Sequence, residues 1–164
     1  MTEMNERSPQ EMIEAKWQAR RAPHTDGVVF PSGRMVTFEY CVQSDERTFD
    51  FGIFDAFEDD LSDFIARQGD DDPWTPLLTI GVHECPEHGV RVEFGEGSYG
   101  CHGYVVCADL ATNRLRWLAF FQESNPFVRA QCRGEVIEAT SNMGHVWTFP
   151  ISCPERLSVK DAPP

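Results

Sequence analysis

Apolar and polar positions along this chain change period several times, and each change marks an element. Ser8-Pro9-Gln10-Glu11 has the signature of a helix start. Ser8 can accept from the backbone, Pro9 suits the first helical position, and Glu11 stands where a capping box needs its acid. Ile13, Trp17 and Arg20 then fall on one side, flanked by Met12 and Ala19, and Pro23 closes the run. The spacing predicts a helix from Pro9 to about Arg21, with Ile13 and Trp17 packed on a sheet. After Pro31-Ser32-Gly33 the period drops to two. Val36, Phe38, Tyr40 and Val42 alternate with Met35, Thr37, Glu39 and Cys41. A polar turn at Ser44-Asp45-Glu46-Arg47 leads into Phe49, Phe51 and Ile53, so the two runs predict one antiparallel hairpin.

A second helix is predicted next. Asp55 can cap it with Glu58 three positions on, Phe57, Leu61, Phe64 and Ile65 follow helical spacing, and Gly69 stands where a C-terminal glycine belongs. Its polar face carries Glu58, Asp59 and Asp63. From about Leu77 to Ile151 the chain reads as strands: an alternating run at Leu78, Ile80 and Val82, a turn at Pro86 to Gly89, and a second run at Val90, Val92 and Phe94. A glycine-rich bend precedes a strand from Tyr104 to Leu110. After the turn at Ala111 to Arg114 come Leu115, Trp117, Ala119 and Phe121. Leu118 and Phe120 make that strand apolar on both sides, which predicts a central strand, a helix-covered strand or an interface. Val136 to Thr140 and Val146 to Ile151 pair across Ser141 to Gly144. With no repeat and no linker, residues 1–164 read as a single domain with fraying ends at 1–8 and 154–164. The predicted fold class is α+β, a mainly antiparallel β-sheet with an N-terminal helix and a second, acidic helix.

Composition supports a packed core: 164 residues, 41% hydrophobic, with 12 Phe. A net charge of −13 disfavours phosphate backbones and anionic membranes and favours a cationic protein partner. The segment Met1 to Arg21 is polar, and no window approaches the roughly 18 apolar residues of a membrane span. These readings predict a cytoplasmic protein whose six cysteines are thiols.

The charge is concentrated. Between Asp45 and Asp72 stand eleven acids and two bases. Asp55, Glu58, Asp59, Asp60, Asp63, Asp70, Asp71 and Asp72 are the candidate partner-binding residues. Asp59 and Asp63 are a like-charged i,i+4 pair that costs helix stability, which calls for either tolerance, as a solvated helix face, or a use, as a docking surface. Asp70-Asp71-Asp72 lacks the spaced acids and terminal Glu of an EF-hand. His83, Cys85, His88 and Cys101 are zinc candidates by element type, with His102 and Cys107 nearby, but no Cys-x-x-Cys pair supports them. No cofactor is expected beyond that zinc. No nucleophile elbow, deaminase signature or phosphate loop is present, so no catalytic residue is assigned.

The segment Leu110 to Pro150, with Ser124-Asn125-Pro126-Phe127 and Trp147-Thr148-Phe149-Pro150, together with the acidic cluster, resembles the immunity proteins of bacterial polymorphic toxin systems. The resemblance is one of type and assigns no residues. It implies a tight complex with a toxin domain, often a basic nuclease, met by acidic side chains. Two other readings compete. One is a small-ligand or zinc-binding β-rich enzyme using His83, His102, His145 or a cysteine in a β-lined pocket. The other is an assembly subunit of a larger complex.

Overall fold

The computed structural model describes residues 7–44 and 49–161. Helix α1, Pro9–Gln18, opens with the capping box formed in both directions: Glu11 N donates to Ser8 Oγ at 3.2 Å and Ser8 N to the Glu11 carboxylate at 3.3 Å. Its Ile13 and Trp17 are buried. The helix ends earlier than predicted because Arg20 takes a left-handed backbone, φ 59, and β1 (Arg21–Pro23) begins at once. Strands β2 (Gly27–Val29), β3 (Arg34–Ser44) and β4 (Phe49–Asp60) follow, then α2 (Leu61–Arg67), β5 (Trp74–Pro76), β6 (Leu78–Cys85), β7 (Val90–Glu96), β8 (Gly103–Asp109) and β9 (Leu115–Phe121). The chain closes with β10 (Phe127–Arg133), β11 (Val136–Ser141), β12 (Val146–Pro150) and β13 (Ser158–Lys160).

The predicted α+β class, mainly antiparallel with an N-terminal helix, is what the chain adopts. A seven-stranded sheet runs in the order β4-β3-β2-β9-β8-β7-β6, and a four-stranded sheet in the order β10-β11-β12-β13. A short β1-β5 pair completes the set. The small sheet packs on one face of the large sheet, around Trp117, Phe121, Trp147 and Phe149. The two helices and the β1-β5 pair cover the other face, around Ile13, Trp17, Leu61, Leu118 and Phe120. Strand β9 lies between these layers: Trp117, Ala119 and Phe121 enter one core, Leu118 and Phe120 the other. Its two-sided apolar pattern therefore reports a central strand covered on both faces. Gly27 sits where β2 threads between β3 and β9; a Cβ there would lie 2.1 Å from the Val36 carbonyl oxygen, so only glycine fits.

Three expectations are corrected. The helix predicted from Asp55 starts only at Leu61. Residues Asp55 to Asp60 instead pair with Arg34 to Glu39. The long apolar β3 demands a partner, and Asp-Ala-Phe-Glu-Asp-Asp is a poor helix former that yields to the ladder. The tail after Pro154, expected to fray, makes a 3₁₀ turn and then β13, which pairs with β12. The cysteines are not all thiols: Cys85 and Cys132 form a disulfide, Cα to Cα 6.3 Å, tying β6 to β10. The predicted turn at Asp45 to Arg47 lies outside the described residues, as do the first six residues and the last three.

Candidate functional site

Strand β4 is outermost in the large sheet, and α2 follows it directly, so the acidic segment occupies one edge of the molecule. Alternation sets which side chains share a face. Asp55, Phe57 and Asp59 lie opposite Glu39, Thr37 and Met35 and point toward the helix layer; Glu58 and Asp60 point the other way. Phe57 is 44% exposed among these carboxylates.

The eight predicted acids divide by what they touch. Arg34 holds Glu58 through two hydrogen bonds, 3.0 and 2.6 Å, and this pulls the Glu58 carboxyl below its ordinary range. Asp59 pairs with Arg67. Burial works to raise its pKa, but the bonds from Arg67 and from the Asp60 N–H outweigh it and the carboxyl lies low. Asp72 accepts from the Trp74 N–H at 3.0 Å and from Arg21 at 2.8 Å, and both lower it, the backbone bond more. Asp60 caps α2 by accepting from Ser62 N at 2.9 Å. Asp55, Asp63, Asp70 and Asp71 are exposed and, among the described residues, form no ion pair. The surface offered to a partner is thus narrower than the sequence suggests.

The His/Cys candidates do not assemble. Cys85 is in the disulfide, His83 is exposed on β6, His88 sits in the 3₁₀ turn that follows β6, and Cys101 lies in the loop before β8. Among the described residues no three His, Cys, Asp or Glu side chains converge to hold a metal ion. His102, by contrast, is buried against His24 (ring centroids 5.4 Å), Tyr99 (5.1 Å) and Phe120 (5.2 Å). Burial, with His24 alongside, lowers its pKa and favours the neutral ring. Cys107 is buried, and its thiol is pushed up to about 12, so it is an inert core residue.

One polar cluster escaped the sequence reading. Glu93 on β7 is buried under α1, where its carboxylate accepts from Trp17 Nε1 at 2.8 Å and Thr79 Oγ1 at 3.3 Å, with Arg20 at 3.4 Å. Thr79 also meets the Tyr104 hydroxyl at 2.8 Å. Alternation with Val92 and Phe94 says only that Glu93 faces the other side of β7; the signal available in sequence was Trp17, a buried indole that needs an acceptor. Replacing Glu93 with leucine will lower stability by about 1–3 kcal/mol, because the Trp17 N–H is left buried and unpaired. Chemical denaturation of Glu93→Leu beside Glu93→Gln checks this: the amide keeps an acceptor and should recover most of the loss.

Comparison with known proteins finds no matching family model, no similar curated protein and no similar solved structure.

Proposed function

We propose that this chain is a protein-binding module that takes a cationic protein partner on the edge built by β4 and α2, and that it acts as an inhibitor of a toxin domain, in the manner of an immunity protein. The observation that carries the reading is Phe57. Carboxylates alone would only protect an open strand edge from self-pairing. An exposed aromatic between Asp55 and Asp59, on a strand with one main-chain edge unpaired by any described strand, adds an anchor of the kind that dominates interface energies. The carboxylates without ion pairs, Asp55, Asp63, Asp70 and Asp71, would steer a basic partner toward it. No described helix is long and apolar enough to cross a membrane. A cytoplasmic home belongs to the same proposal. There Cys85 and Cys132 would be held reduced, so their state in the cell reports the compartment.

The test uses the full chain as bait and a captured basic partner in kinetic binding measurements. Asp55→Lys with Asp63→Lys should slow association by about tenfold or more at low salt. Phe57→Ala should speed dissociation by about 30-fold, the effect of losing a 2 kcal/mol hot spot. Unchanged rates in both variants would refute this edge as the binding surface.

A further inference from the structure

The small sheet turns its second face outward, and that face carries the opposite charge from the rest of the molecule. Cross-strand register places Arg129, Thr140, Val146 and Lys160 in one line across all four strands. Directly paired residues share a face, so the two cations close the line at either end, about 14 Å apart at their Cα atoms. Arg133 lies on the same face of β10, two side-chain steps beyond Arg129. These groups line a concavity of about 370 Å³. Its floor holds Glu138, which accepts from Gln131 Nε2 at 3.0 Å and lies 3.6 Å from Arg133 Nε. Among the described residues Arg129 and Lys160 form no ion pair, although acids outnumber bases 27 to 14 in the chain. In the same molecule Arg20, Arg21, Arg34, Arg67, Arg114 and Arg116 are each matched with a carboxylate. Arg7, Lys16, Arg91 and Arg156 are likewise without an ion pair among the described residues; what sets Arg129 and Lys160 apart is that the two stand at opposite ends of one hollow, where a single anion can meet both.

We infer that this hollow binds a small phosphate-bearing ligand of about mononucleotide size, its phosphate held by Arg129 and Lys160 and a hydrogen-bond donor of its neutral part resting on Glu138. The volume falls in the range of small-molecule sites. The charges suit a phosphate. The floor carboxylate repels a second anion, so the part of the ligand over it must donate rather than accept.

The site lies on a different sheet from the β4 edge, and its test is independent of that proposal. Adenosine 5′-monophosphate and inorganic pyrophosphate are the probes, titrated calorimetrically into the full chain at low salt. Saturable binding of the nucleotide is expected, weakened at least tenfold in Arg129→Gln with Lys160→Gln and unchanged in Arg114→Gln, which alters a cation outside the hollow. Glu138→Gln should weaken the nucleotide more than pyrophosphate, which has no donor to offer. All these side chains lie on the solvent face, and far-ultraviolet circular dichroism of each variant establishes that it is folded. No saturable nucleotide binding, equal affinity in the double variant, binding of pyrophosphate alone, or preference for a poly-glutamate peptide would each overturn the inference.

Discussion

Replacing Trp147 with alanine will cost about 3–5 kcal/mol of folding free energy, within the range for a large aromatic removed from a core. Trp147 on β12 is fully buried, and five rings surround it: Phe121 at 4.7 Å between centroids, Phe51 at 5.5 Å, Phe127 at 5.8 Å, Tyr40 at 6.1 Å and Phe149 at 6.4 Å. Three of these belong to the large sheet and two to the small one. The indole is therefore the joint between the layers, and rigid strands on both sides cannot collapse into the space it leaves. Among the described residues its own N–H has no hydrogen-bond partner. That gives the prediction a second arm. Trp147→Phe gives up part of the packing but also removes a buried, unpaired donor, so it should cost well under half as much as alanine. Urea denaturation of the three proteins decides it. An alanine loss below about 1.5 kcal/mol, or a phenylalanine loss equal to it, would show that the sheets are not held together here.

The elements that could be read in advance are those whose signals are local. The capping box at Ser8 and Glu11 needs only four residues of sequence, and the two-sided apolar run at Leu115 to Phe121 declares a central strand whichever elements cover it. Residues Asp55 to Asp60 could not be read this way. Their helical spacing from Phe57 to Leu61 is real, but β3 offers eleven residues of unpaired ladder, and tertiary pairing outweighs a weak local preference. Strand β10 was missed because its outward Arg129, Gln131 and Arg133 mask the alternation of its inward Ala130 and Cys132.

The acidic site shows the same division between what is local and what is not. The concentration of charge between Asp45 and Asp72 is a property of sequence. Its partial neutralisation is a property of topology, since Arg21 and Arg34 come from β1 and β3. No spacing rule connects Arg34 with Glu58; only the register of β3 against β4 places Arg34 opposite Asp60 and so beside Glu58. The basic hollow is subject to the same limit. Arg129 and Lys160 are 31 positions apart in sequence and are brought onto one face only through the two intervening strands β11 and β12, and Lys160 itself lies in the tail predicted to fray. Charge counted along a chain ranks candidate surfaces, but strand order determines which charges are already matched.

Breaking the Cys85–Cys132 link will lower stability by about 2–4 kcal/mol, on the chain-entropy account of a cross-link spanning 47 residues. The bond joins the last residue of β6, an edge of the large sheet, to β10, an edge of the small sheet, so it ties together two edge strands of different sheets. The loop it closes contains β7, β8 and β9, the centre of the structure. In the unlinked unfolded chain positions 85 and 132 are free to separate, and that freedom is the entropy the bond removes. Cys85→Ala with Cys132→Ala should therefore unfold at lower urea than the parent, and added reductant should bring the parent down to the variant while leaving the variant unmoved. Four other cysteines, Cys41, Cys101, Cys107 and Cys153, are unpaired, so a reductant effect that persists in the double variant would point to a different pairing. Equal midpoints for parent and variant without reductant would mean that the sheets are held by Trp147 and its neighbours alone, and that the cross-link adds nothing the aromatic core does not already provide.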